Sequence, residues 1–128
     1  AQAGDINGII CTGYTTSVAA AQLLSEINEA GSSDRIRMVG IDTDETVMDA
    51  IRDGYIDATI AQNPYGQGYI SMEVLTYLID GWEPKEDTYF IDSGTALVTS
   101  ENIDSYSADL EAVTEDILGT LESVYLTQ

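Results

Sequence analysis

At 128 residues the sequence is long enough for one domain with a real apolar core, and an apolar share of 44% argues against disorder. Four Lys or Arg stand against 23 Asp or Glu, a net charge of −19. Such a field repels phosphate backbones and argues against nucleic acid as a partner of this segment. The acidity is otherwise that of a solvated, solubilising surface. Cys11 is the single cysteine, so no internal disulfide can form, and its apolar setting suits a small buried hydrophobe. No stretch reads as a signal peptide or as an apolar run of membrane length. The chain opens on Ala1 without an initiator Met, as expected of a mature fragment or a trimmed chain.

Taken in order, Ala1 to Asp5 form a lead-in and Ile6 to Thr12 a first strand. Gly13 and Tyr14 turn the chain, and Thr15 or Thr16 caps a helix reaching about Asn28, since a hydroxyl satisfies a free first-turn N–H. Ala20, Leu23, Leu24 and Ile27 share one face of it, and Gly31 stops it. Ser32 to Ile36 bridge to the run Arg37-Met38-Val39-Gly40-Ile41-Asp42. An apolar run of this kind is typical of a parallel strand covered on both faces. It ends on a carboxylate. Asp44 then caps a shorter helix with Val47, Ala50 and Ile51 on its inner face and Gly54 at its end. Tyr55 to Gln62 make a third strand, and Asn63-Pro64 supplies the N-cap and first residue of the next helix. Ile70, Val74, Leu75, Leu78 and Ile79 line that helix, and Gly81 closes it.

Three strand-to-helix units in succession predict an α/β fold with a parallel sheet. Ligands of such sheets bind outside the carboxyl ends of the strands, so Asp42 stands on the functional rim. After Gly81 the rhythm changes. Trp82 to Asp87 form a polar connection, and Thr88–Ile91 and Thr95–Thr99 read as short strands around Asp92-Ser93-Gly94. From Ser107 a long amphipathic helix carries Leu110, Val113, Ile117, Leu121 and Val124 on one stripe. Its acids, Asp109, Glu111, Glu115, Asp116 and Glu122, fall mostly off that stripe, as on a packing helix with a wet face.

The sequence has no histidine, which removes His-based acid–base catalysis and most zinc sites. Cys11 has no histidine to activate it as a nucleophile. Gly66-Gln67-Gly68 lies inside a helical stretch and lacks the third glycine of a dinucleotide loop. No catalytic residue, metal ligand or cofactor is therefore expected. One enzymatic alternative rests on Asp42-Thr43-Asp44-Glu45-Thr46, which resembles the first motif of the haloacid-dehalogenase phosphotransferases. That resemblance implies Asp42 as nucleophile, Asp44 as acid/base and a magnesium ion. The family also needs a later lysine and a second acidic pair, and here the only lysine is Lys85, in the polar connection.

A second resemblance covers almost the whole chain. Asp5-Ile6-Asn7-Gly8-Ile9-Ile10, Val39-Gly40-Ile41-Asp42, the run from Ala50 to Pro64, Gly68, and Leu97-Val98-Thr99-Ser100-Glu101-Asn102-Ile103 follow one another in this order. The set resembles the C-terminal lobe of the type 1 periplasmic sugar-binding proteins, the ribose/galactose-binding class, a lobe shared with the effector domains of LacI-type repressors. The resemblance implies one doubly wound, three-layer αβα lobe over residues 1–128, part of a two-lobed protein. It implies binding of a monosaccharide between the lobes for an ABC importer, with the missing N-terminal lobe and a membrane permease as partners. The implied location is periplasmic or on the cell surface, lipoprotein-anchored in a Gram-positive.

By the same resemblance Asp42 and Gln62 match sugar-binding positions. Gly13-Tyr14 replaces an Asn-Asp pair, so Tyr14 is expected to stack on the sugar ring. An open sheet edge is expected to pair with the missing half or with a second copy. A repressor effector lobe is the alternative reading; it requires a basic helix-turn-helix segment upstream.

Overall fold

The computed structural model describes residues 6–31 and 35–128. The expected lead-in, residues 1–5, and residues 32–34 of the expected bridge lie outside the described residues. Contacts divide the chain into two compact units, Ala1–Gln62 with Leu97–Tyr106, and Asn63–Ala96 with Ser107–Gln128.

The first unit holds β1 (Gly8–Ile10), α1 (Tyr14–Glu29), β2 (Arg37–Ile41), α2 (Glu45–Arg52) and β3 (Ala58–Gln62). β1 pairs with β2 and β2 with β3, both in parallel, with Ile9 opposite Met38 and Gly40 opposite Thr59. With a later strand, β5 (Thr95–Val98), they form a four-stranded sheet in the order β1-β2-β3-β5. This is the expected α/β fold, a mainly parallel sheet flanked by helices. Ala58, Thr59 and Ala61 on β3 and Met38 and Gly40 on β2 are buried, as in strands covered on both faces. Ile10 on β1 is 81% exposed.

Two details of α1 differ from expectation. Gly13, in extended backbone, is the N-cap, so Tyr14 is the first helical residue and neither threonine caps it. Thr16 and Ser17 instead lie one turn in, where their hydroxyls donate back to the Gly13 carbonyl at 2.9 Å each. The buried row is Ser17, Ala21 and Leu24. Leu23 is exposed and Ala20 and Ile27 are half-buried, because the inward face is centred one residue away from the apolar stripe. α2 follows its sequence closely. Asp44 caps it through the Thr46 N–H, and Val47, Met48, Ala50 and Ile51 are buried. Gly54 adopts a φ of 75° beyond its end, a conformation that favours glycine.

The second unit packs α3 (Pro64–Ile79), β4 (Glu83–Pro84), α4 (Tyr106–Thr120), a π turn (Leu121–Tyr125) and β6 (Leu126–Thr127) around Ile70, Leu121 and Leu126. Asn63 caps α3 as expected, its Oδ1 accepting from the Gly66 N–H. The row Ile70, Val74 and Tyr77 faces the core, and Tyr77 meets Trp82 edge to face at 5.3 Å. Leu75, Leu78 and Ile79 lie off that row and are exposed, so the apolar stripe is wider than the face it buries.

The segment Thr88–Ile91 is not a strand. Its β-forming residues find no strand to pair with, and Tyr89 and Phe90 face outward. An unexpected antiparallel ladder forms instead between Glu83–Pro84 and Leu126–Thr127. β5 ends one residue early because Asn102 takes the Thr99 N–H. α4 also gives way to the π turn at Leu121. The wider turn advances the register, so Val124 is exposed where the 3.6-residue period would bury it, and Leu126 is buried instead.

Candidate functional site

The site is built at the carboxyl ends of β2 and β3, beginning with Gly40. A Cβ there would lie 3.1 Å from Ser17 Oγ and 3.3 Å from Thr59 Oγ1. Glycine at this position lets two buried hydroxyls close on the end of β2. Ser17 accepts from the Ile41 N–H at 2.9 Å, fixing the start of α1 against the strand. Thr59 donates to the Asp42 carbonyl at 2.8 Å, and the Asp42 N–H donates to the Ile60 carbonyl at 2.9 Å.

Held at both ends in this way, Asp42 adopts a φ of 74°. Among the described residues it is the one non-glycine with positive φ. A left-handed residue with a Cβ costs of order 1–2 kcal/mol and persists where its surroundings over-determine it. The strain aims the carboxylate toward β3. There Gln62 Nε2 donates to Asp42 Oδ1 at 2.6 Å. The exposed amide and the half-buried carboxylate form one polar pair on the rim.

A second pair stands beside the first. Tyr14, 53% exposed at the start of α1, donates its phenol proton to Asp44 Oδ2 at 2.6 Å. Asp44 Oδ1 accepts from the Thr46 N–H at 2.9 Å, so one carboxylate both caps α2 and holds the tyrosine. The bond to Asp44 raises the Tyr14 pKa above its ordinary value, and the charges of Asp44 and Asp42 add to the effect. The same bond lowers the Asp44 pKa, helped by the Thr46 N–H. The proton therefore stays on the phenol. The two pairs are linked through the chain, since Asp42 directly follows β2 and Asp44 is the next residue but one.

All four basic side chains are engaged elsewhere. Arg35 and Arg37 reach Asp57 at 2.9 and 2.6 Å, and Arg52 reaches Asp49 and Asp104 at 2.9 and 3.6 Å. Lys85 donates to the Ser123 carbonyl. Among the described residues no group of three or more Cys, Asp or Glu is arranged to hold a metal ion. Cys11 is buried, its thiol directed at the Thr16 carbonyl.

Of the expected site residues, Asp42 and Gln62 are joined by a direct hydrogen bond, Tyr14 bonds Asp44 two positions on from Asp42, and Gly13 supplies the backbone from which Tyr14 starts. Taken singly, Ser17, Thr59 and Gly40 carry no functional signal in the sequence, and the 30 positions between Tyr14 and Asp44 hide their bond. The signal present for the strand end was a glycine one residue from the close of an apolar run, with hydroxyl residues on the neighbouring elements.

Comparison with known proteins adds an independent finding. The model of the periplasmic binding protein domain family matches residues 1–83. Among solved structures, the chain is similar to a sugar-binding protein of a sugar ABC transporter from Bacillus halodurans, at 30% identity and a TM-score of 0.64, covering 79% of this chain and 36% of that one. It is similar to the arabinose-binding protein AraP from Geobacillus stearothermophilus, at 27% identity and a TM-score of 0.61, covering 78% and 35%. A solute-binding protein from Agrobacterium vitis with bound D-fucose matches at 26% identity and a TM-score of 0.64, covering 84% and 35%. The chain thus spans about a third of the length of the structures it resembles.

Proposed function

Since the chain belongs to the periplasmic binding protein domain family, we propose that it forms one wall of a sugar-binding cleft. Residues 1–128 make up one lobe of a longer, two-lobed solute-binding protein that delivers a monosaccharide to an ABC importer in the membrane. The protein works in the periplasm or at the cell surface, and it is a binding protein with no catalytic step. Names of similar proteins point to pentoses and hexoses as the ligand class.

The observation that carries this reading is the Asp42–Gln62 pair at the carboxyl ends of β2 and β3. A carboxylate accepts from two adjacent hydroxyls, and a primary amide both donates and accepts. Held 2.6 Å apart, the two groups are preorganised for a vicinal diol, so little side-chain freedom is lost on binding. Tyr14 adds an aromatic face for the C–H side of the ring. The lobe that completes the protein supplies the opposite wall, and closure of the two excludes water and strengthens each bond.

Calorimetric titration of a pentose and hexose panel against the full protein tests the reading. A hydrogen bond to a charged group contributes about 1.5–3 kcal/mol, and each 1.4 kcal/mol is about tenfold in affinity. Asp42→Ala is expected to weaken binding roughly ten- to a hundredfold, and Gln62→Ala less, since its bonds are neutral. Unchanged affinity in a folded Asp42→Ala protein would remove Asp42 from the site.

A further inference from the structure

Within the two side-chain pairs, Asp42–Gln62 and Tyr14–Asp44, the free polar atoms nearly all have the same hydrogen-bonding sense. Tyr14 has one phenolic proton and donates it in the hydrogen bond to Asp44 Oδ2, so Tyr14 Oη offers only lone pairs outward. Asp42 is an acceptor on both oxygens, and Gln62 spends one amide proton on Asp42 Oδ1. What remains is Asp42 Oδ2, Gln62 Oε1 and Tyr14 Oη as acceptors, against a single Gln62 N–H. No arginine or lysine of this chain offsets the two carboxylates, because all four hold partners elsewhere.

Resting on the sugar-binding reading above, we propose that Asp44 is a positioning residue that sets specificity. By holding the phenol proton of Tyr14 it makes the side chains of these two pairs a hydrogen-bond acceptor surface. Ligands are taken there through hydroxyl or ammonium donors, and a carboxylate or phosphate at that position is rejected. The device is local. The helix-capping bond to Thr46 fixes one oxygen of Asp44, and the second is thereby aimed at the first residue of α1. Had the phenol been free to rotate, Tyr14 would donate to a ligand as readily as accept. With its proton committed, it discriminates.

The test replaces single hydroxyls of the sugar bound most tightly by the full protein. Fluorine keeps the size but cannot donate; an amino group keeps the donors and adds positive charge. By calorimetry, a fluoro derivative at a rim position is expected to lose roughly tenfold or more in affinity, while the matching amino derivative holds or gains. The corresponding uronic acid is expected not to bind.

Asp44→Ser separates positioning from folding. Serine caps a helix as well as aspartate, but its one oxygen serves Thr46 and leaves the Tyr14 proton free. In that variant melting should be unchanged, and the penalty at the position nearest Tyr14 should shrink, as it should in Tyr14→Phe. Fluoro sugars bound as tightly as the parent at every position overturn the proposal. So does an Asp44→Ser protein that melts normally and keeps the wild-type penalty profile. Failure of every sugar to bind overturns the sugar-binding reading itself, and this proposal with it.

Discussion

Replacing Asp42 separately by glycine and by alanine isolates the strain stored at the rim. Both substitutions remove the carboxylate and its bond to Gln62, so that loss cancels in the comparison. They differ in backbone. At a φ of 74°, alanine retains the Cβ clash of about 1–2 kcal/mol, whereas glycine does not. Glycine instead loses roughly 0.5–1 kcal/mol more chain entropy on folding. The balance favours Asp42→Gly over Asp42→Ala by roughly 0–1.5 kcal/mol, which is up to a few degrees in melting temperature. Urea and thermal unfolding of both variants measure the difference, and sugar titration should find both weakened. An alanine variant more stable than the glycine variant by about 0.5–1 kcal/mol, the entropy difference alone, would show that the left-handed backbone carries no strain. The inference from strain to a functional rim would then fail.

Two further outcomes follow from packing and charge. A Cβ at Gly66 would lie 2.2 Å from Asn63 Nδ2 and 2.6 Å from Thr114 Oγ1, so Gly66→Ala should destabilise by about 1–3 kcal/mol, read by urea unfolding. The Asp57 pKa is pushed up by burial but ends below its ordinary value, because the Met38 N–H, Arg37 and Arg35 outweigh that burial. Asp57 therefore contributes stability that is complete above the ordinary aspartate value of 3.8 and is lost as pH falls through its lowered folded value. Wild type and Asp57→Asn should converge in acid melts and separate toward neutral pH; parallel curves would contradict the assignment.

Residues whose signal is local were legible in the sequence. An apolar run ending on Asp42, the Asp44 and Asn63 caps, and the glycines at 31, 54 and 81 each follow from the chemistry of a few neighbouring residues. What escaped depends on groups far apart in the chain. Ser17 reads as an ordinary helical residue until Ile41, 24 positions on, needs a partner for its N–H. Tyr14 and Asp44 are separated by 30 positions, and no periodicity links them. The segment Thr88–Ile91 shows the converse failure. Its β-forming residues are real, but a strand requires a partner, and the ladder formed at Glu83–Pro84 instead. The π turn after Thr120 likewise shifted the last apolar positions by an amount no fixed period reveals.

The central claim is that the Asp42–Gln62 pair meets the ligand. A crystal structure of the full two-lobed protein with the tightest-binding sugar of the panel tests it most directly. The account predicts Asp42 Oδ2 and the Gln62 amide within about 2.6–3.2 Å of adjacent sugar hydroxyls, with the Tyr14 ring against a C–H face. A sugar bound in a closed cleft but out of hydrogen-bond reach of both Asp42 and Gln62 would contradict it.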